Sequence, residues 1–206
     1  SGRPGPVLVD ITKDAQQAKI DWAWDPSPVK IRGYRPKLTV PKSEIATAVD
    51  LLATGKRPII LAGQGILHSG AMKEVRQFAE RINVPVAMTL LGLGAFPASH
   101  PLHIGMMGMH GESWVNHAIQ EADLLIALGM RFDDRVTGNI KTYAVNAKKI
   151  HIDIDPSEIN KNVVADAAIV ADLREALREL IEVVKPADHE PWLKYIASMK
   201  GTSAVH

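Results

Sequence analysis

Short apolar runs recur along the chain at Pro58 to Ala62, Val84 to Met88, Leu124 to Leu128, Lys149 to Ile154 and Ala168 to Ala171. Between them, apolar residues return at helical spacing. Strands that are apolar throughout and alternate with helices belong to a parallel sheet covered on both faces. The first helix is predicted from Ser43 as N-cap, through Ile45, Val49 and Leu52 on one face, to Gly55 just past its end and Pro58 beyond it. A second starts near Ser69 and places Val75, Phe78, Ala79 and Ile82 on one stripe. A third spans Ser113 to Glu121, a short one follows Asp155, and the longest begins at Asp172 and buries Leu173, Ala176, Leu177, Leu180, Ile181 and Val184. Right-handed crossovers between such units give an α/β, doubly wound sheet.

The two ends depart from this rhythm. Val7 to Ile11 reads as a further strand, followed by a proline- and aromatic-rich stretch, Trp22 to Pro36, with the character of an extended linker. Beyond Pro186 the chain is polar and broken, with Trp192, Leu193 and Ile196 hinting at a short helix. The expected organisation is therefore a strand and linker over 1–35, one main domain over 36–185 and a tail over 186–206.

Composition narrows the partner. With 206 residues and 46% hydrophobic content the chain can build one substantial core. Lys and Arg number 24 against 23 for Asp and Glu, a formal charge of +1, so neither a nucleic-acid footprint nor a polybasic membrane patch is expected. The absence of cysteine excludes disulfides, thiolate metal sites and cysteine nucleophiles and fits a reducing compartment. No run approaches a membrane span and SGRPGP lacks signal-peptide character, so the expected location is the cytoplasm.

The loops after the apolar runs carry the candidate chemistry, because an open α/β sheet binds ligands beyond the carboxyl ends of its strands. Gly129 to Asn139, GMRFDDRVTGN, combines Arg131 and Arg135, whose guanidinium forks suit phosphate or carbonyl oxygens, with the acceptors Asp133 and Asp134. Gly63-Gln64-Gly65 follows the first run, an incomplete GxGxxG whose glycines would let backbone N–H groups approach a diphosphate. Thr89-Leu90-Leu91-Gly92 and GMMGMHG, Gly105 to Gly111, offer tight turns and polarisable apolar surface for a flat ring. In KKIHIDID, Ile150, Ile152 and Ile154 alternate with His151, Asp153 and Asp155. Asp155-Pro156-Ser157-Glu158 and Asp172 to Glu175 match capping boxes, which leaves Asp153 to accept from a ribose or adenine. His100 and His103 have no further ligands at metal spacing, and no nucleophile and base pair emerges, so neither a metal site nor a catalytic residue is predicted.

GMRFDDRVTGN, HIDIDPSEINKN, LLGLGAFP and GMHG, in their order along the chain, resemble the central domain of the acetohydroxyacid (acetolactate) synthase family, from SGRPGPVLVDITKD to about Val184. The resemblance implies a six-stranded, mostly parallel Rossmann-like sheet that binds flavin adenine dinucleotide (FAD). It sits between two domains that hold thiamine diphosphate and magnesium. The family enzyme condenses pyruvate with a second 2-ketoacid in branched-chain amino-acid biosynthesis, and its flavin is mostly structural. Its catalytic glutamate and metal-binding motif belong to the neighbouring domains, so this stretch is expected to bind FAD without catalysing. The implied partners are FAD, the remaining synthase domains and a second copy in a homodimer.

Carried over by position, the FAD contacts fall on Arg3, Gly63, Gln64, Gly65, Thr89, Leu90, Leu91, Gly108, Met109, His110, Gly129, Arg131, Asp133, Arg135, Val136, Asp153, Ile154 and Asp172. Asp134 and Arg135 resemble positions that line the family's substrate tunnel. Val7 to Ile11 resembles the last strand of the preceding family domain. Gln64 stands where the family often has glycine, and Ala171 precedes Asp172 where it often has a Gly-Asp pair. The other readings are a structural middle domain with an empty nucleotide crevice, and an NAD- or ADP-binding domain.

Overall fold

The structure is a computed structural model that describes residues 2–27 and 39–200. The chain divides into two units, Ser1–Lys37 and Leu38–His206. Much of the expected linker, residues 28–38, and the tail from Gly201 lie outside the described residues.

In the first unit, Val7 to Ile11 is not a strand. Val7, Leu8 and Val9 are largely exposed. A strand exists through its ladder, and no ladder partner is present for this segment among the described residues, so local β-propensity alone does not make one. The unit's regular element is the short helix α1 (Lys13–Gln17).

The second unit is a six-stranded sheet in the order β3-β2-β1-β4-β5-β6, with every pairing parallel. The strands are β1 (Pro58–Ala62), β2 (Val86–Met88), β3 (His103–Met106), β4 (Leu124–Leu128), β5 (Lys148–Asp153) and β6 (Ala167–Val170). β1 and β4 appear with the limits their apolar runs predict. β3 was hidden within a segment read as glycine-rich turns. It is an edge strand whose register against β2 shifts between Val86 and Ala87, and Gly105 within it has φ +109.

The alternation of side chains sorts the core onto two faces. Ile60, Ala62, Ile126, Leu128, Ile150 and Ile152 pack on one side, and Ile59, Leu61, Leu125 and Ala127 on the other. The first side is covered by α2 (Lys42–Thr54), α3 (Gly65–Ser69), α4 (Met72–Ile82) and α7 (Leu173–Val183). The second is covered by α5 (Ser113–Glu121) and α8 (Glu190–Met199), the latter within the expected tail. Trp192 of α8 buries its ring there and donates from Nε1 to the Pro58 carbonyl at 3.1 Å.

Three helix boundaries differ from expectation. The N-cap of α2 is Pro41, not Ser43, because the Pro41 carbonyl already accepts from Ile45 N–H at 3.1 Å. The helix expected from near Ser69 is α4 and starts at Met72, because Ser69 ends a separate short helix, α3, which Gly70 closes at φ +63. After Asp155 there is a turn and no helix. Asp155 Oδ1 does accept from Ser157 N–H at 3.0 Å, but Asn160 adopts a left-handed φ of +58 that a helix cannot continue through.

The strand order reverses direction between β1 and β4, and there the loops meet backbone to backbone. A Cβ on Gly65 would stand 2.6 Å from Gly129 Cα, and one on Gly63 would stand 2.3 Å from the Gly129 carbonyl oxygen. Gly65→Ala is therefore expected to lower stability by about 1 to 3 kcal/mol through overpacking. Gln64→Ala, between the two glycines but exposed, should stay within about 0.5 kcal/mol of the parent when both variants are unfolded in urea.

Candidate functional site

All six strands are parallel, so their carboxyl ends share one edge of the sheet, and each is followed by candidate residues. Hydrogen bonds link these loops in succession. Thr89 N–H donates to Ala62 at 3.0 Å, Gly63 N–H to Leu128 at 3.0 Å and Gly65 N–H to Gly129 at 2.9 Å. Gly129 N–H donates to Ile152 at 2.9 Å, Met109 N–H to Arg135 at 2.8 Å and Ala171 N–H to Asp153 at 3.2 Å. The predicted residues of the second unit are thus brought together along one crevice edge. Arg3 belongs to the first unit.

The bonding pattern changes what several of them can offer. The N–H groups of Gly63, Gly65 and Gly129 are spent within the protein, so these glycines serve close packing of the loops and do not present free donors to a diphosphate. Three of the candidate carboxylates are also engaged. Asp133 is the N-cap of the short helix α6 (Asp134–Thr137), accepting from Val136 N–H at 3.3 Å, and it pairs with Arg131 Nε at 3.2 Å. Asp172 caps α7, accepting from Arg174 N–H at 3.0 Å and Glu175 N–H at 3.3 Å. Asp153 Oδ1 accepts from Asp155 N–H at 2.9 Å. Thr89 Oγ1 accepts from Gly92 N–H at 3.0 Å and starts a single 3-10 turn, Leu90–Gly92.

Facing solvent at this edge are two guanidinium groups, that of Arg131 paired with Asp133 through Nε alone, and a patch of apolar surface. The Arg131 side chain is half exposed. Arg135 is exposed, with Nη1 lying 3.4 Å from Met109 Sδ. Leu90, Leu91 and Met109 are 60%, 61% and 60% exposed, unusual for large apolar side chains in a unit with a complete core. Gln64, His110 and Asp134 are exposed beside them, and Val136 and Ile154 are half-buried. Such a combination can take a ligand with an anionic part and a flat apolar part.

A cavity of about 310 Å³ adjoins this surface, lined among others by Gly108, Met109, Asn116, Arg135, Val136 and Tyr143. Asn116 fastens one wall: its Nδ2 donates to the Gly108 carbonyl and its Oδ1 accepts from Gly108 N–H, both at 2.9 Å. Gly108 itself, at φ +95, leaves no room for a side chain, since a Cβ would lie 2.6 Å from the Arg135 carbonyl oxygen. A larger cavity of about 480 Å³ lies at the opposite edge, lined by Glu80, His100, Leu102 and Lys194, away from every candidate loop. Burial pushes the Tyr143 hydroxyl far above its ordinary range, so it stays protonated. Among the described residues no group of His, Cys, Asp and Glu is placed to hold a metal ion, and no helix is long and apolar enough to cross a membrane.

Two residues in this region were not picked out from the sequence as site residues. His151 alternates with the isoleucines on the polar side of HIDID. It lies fully buried within β5, where Nε2 donates to the Met130 carbonyl at 2.8 Å. Asn162 Nδ2 donates to the Phe132 carbonyl at 2.7 Å. Alternation could assign His151 to a face of β5, but not reveal that this face is covered by the GMRFDD loop.

Residues 45–180 match the family described as the thiamine pyrophosphate enzyme, central domain. The chain belongs to this family. It is 48% identical to the probable acetolactate synthase large subunit of Methanocaldococcus jannaschii, over 98% of this chain and 35% of that protein. It is 47% identical to the acetolactate synthase large subunit of Corynebacterium glutamicum, over 97% of this chain and 33% of that protein. With the Escherichia coli acetolactate synthase isozyme 3 large subunit it shares 42% identity, over 93% and 34%. The chain spans about a third of the length of these relatives. The match to the thiamine pyrophosphate enzyme central domain begins within α2 and ends within α7, and α8 lies outside the matched residues.

Two expectations follow. Removing the α7 cap with Asp172→Ala should lower stability by about 1 kcal/mol, with Asp172→Asn recovering most of it in thermal unfolding. The His151 imidazole is held below its ordinary value of 6.5, because burial outweighs the favourable influence of Asp153, the Met130 carbonyl and Glu158. The folded state therefore resists a proton that the unfolded chain accepts, and stability falls as pH drops through 6.5. Between about pH 7.5 and about pH 5.5 the parent should lose more stability than His151→Gln, since their other ionisable groups are shared.

Proposed function

We propose that this chain is the FAD-binding central domain of an acetohydroxyacid synthase, the enzyme class that condenses pyruvate with a second 2-ketoacid. The observation that carries the reading is the pairing of exposed Leu90, Leu91 and Met109 with Arg131 and Arg135 at the carboxyl edge of a doubly wound sheet. Arg131 and Arg135 supply charge for the diphosphate and flavin oxygens, and Leu90, Leu91 and Met109 the apolar bed for the flavin ring. Asp153, with Oδ1 engaged by Asp155 N–H and Oδ2 lying 4.0 Å from His151 Nε2, would accept from the ribose and adenine end through Oδ2. Bound flavin would supply an ordered structural element that organises the loops, and these residues bind and orient it.

Thiamine diphosphate and magnesium are held, in this reading, by other domains of the whole synthase, so this chain alone binds FAD and produces no acetolactate. Asp134 and Arg135 face a substrate tunnel completed by those domains. A cytoplasmic enzyme, dimeric through a second copy, is the corresponding whole.

A second reading, a middle domain whose crevice holds no nucleotide, is favoured by one observation: the Gly63, Gly65 and Gly129 N–H groups are already bonded within the protein. The two readings differ in a titration. FAD at about 100 times its dissociation constant should stabilise the chain by about 2.7 kcal/mol, with quenching of flavin fluorescence. Arg131→Ala should weaken binding by about 1.5 to 3 kcal/mol with little change in the fold. Absence of stabilisation would leave the empty-crevice reading, and preference for NAD or ADP would replace FAD as the ligand.

A further inference from the structure

The loop that carries Arg131 is held by an alternating set of anchors. Gly129 N–H bonds to the Ile152 carbonyl at 2.9 Å, the Met130 carbonyl accepts from His151 Nε2 at 2.8 Å, and the Phe132 carbonyl accepts from Asn162 Nδ2 at 2.7 Å. Met130 and Phe132 are buried, each 4% exposed, while the Arg131 side chain between them is half exposed. Phe132 packs edge-on against the His151 ring with centroids 5.2 Å apart. His151 therefore touches the loop twice, through the carbonyl before Arg131 and the ring after it.

Its own bonding is one-sided. A carbonyl can only accept, so Nε2 carries the proton, and Nδ1 is buried without a partner. An apolar side chain of similar shape would leave no orphan nitrogen at this place, so stability alone does not explain an imidazole. The Nε2 bond does explain one.

Resting on the reading of Arg131 as an FAD anchor, we propose that His151 is a positioning residue for the cofactor site: by fixing the Met130 carbonyl and the Phe132 ring it sets the direction in which Arg131 leaves the loop, with Asn162 as the second anchor. His151 itself touches no ligand. It acts from within the sheet, through the backbone of the loop.

The test compares His151→Phe, which keeps a ring but no donor, with His151→Gln, whose amide can again donate to the carbonyl. Hydrogen exchange is read in the chain without ligand, and FAD affinity by titration. In the Phe variant the amides of residues 133–137 should exchange faster while those of β4 stay protected, and FAD should bind about tenfold more weakly. The Gln variant should restore both. Because His151 acts through Arg131, the Arg131→Ala, His151→Phe double variant should bind FAD no more weakly than Arg131→Ala alone. Unchanged loop exchange in the Phe variant, or additive losses in the double variant, would overturn the proposal. Should the Phe variant fail to fold, Asn162→Ala applies the same exchange and additivity criteria from the exposed side of the loop. If the parent chain takes up no FAD, the function proposed above fails, and the exchange comparison of the Phe and Gln variants still decides whether His151 holds the loop.

Discussion

The close approach of two loops at the reversal of strand order is the constraint on which the crevice depends. β1 and β4 lie side by side, and the chain leaves both at the same edge before turning to opposite faces of the sheet. Gly65 and Gly129 touch backbone to backbone there, and a hydrogen bond closes the contact. A side chain at either position would force the loops apart and carry the α3 start and the Arg131 segment with them. The glycines that read as diphosphate donors are thus first of all the joint between the two halves of the sheet.

That joint divides the labour among the charged residues. Three carboxylates at the edge are turned to helix caps and tight turns, Asp133 to α6, Asp172 to α7 and Asp153 to the turn after β5, while Asp134 is exposed. Guanidinium groups are turned outward. The capping carboxylates thereby satisfy backbone N–H groups that would otherwise be unpaired at helix starts, while the guanidinium groups keep donors facing solvent, Arg131 also pairing with Asp133 through Nε. Relatives named as acetolactate synthase large subunits share this whole stretch, and the chain corresponds to about a third of each.

Several features were legible from residue order. Leu124 to Leu128 and Pro58 to Ala62 are apolar at every position, a pattern that only a strand buried on both faces requires, and both appear with those limits. Asp172 followed by Glu175 named a helix start that the structure contains. Other features were not. His103–Met106 is short, starts on a histidine and contains a glycine, and becomes a strand because β2 offers it a ladder. Val7 to Ile11 has better β-propensity and forms none. The pattern Asp155 to Glu158 satisfies a capping box, yet a cap starts a helix only where the following backbone can continue it, and Asn160 does not.

The sequence by itself determined the sheet class, the family and which loops carry the candidate chemistry, because these rest on local periodicity and on motifs contiguous along the chain. Tertiary structure alone decided which groups in those loops remain free. Whether the Gly65 N–H is a donor for a ligand depends on a carbonyl more than sixty positions away. Whether His151 is an idle core residue or the support of Arg131 depends on which loop crosses its face of β5. Hydrogen-bond partnership is a property of pairs of groups, and the pairs that shape this edge are brought together only when the parallel sheet closes.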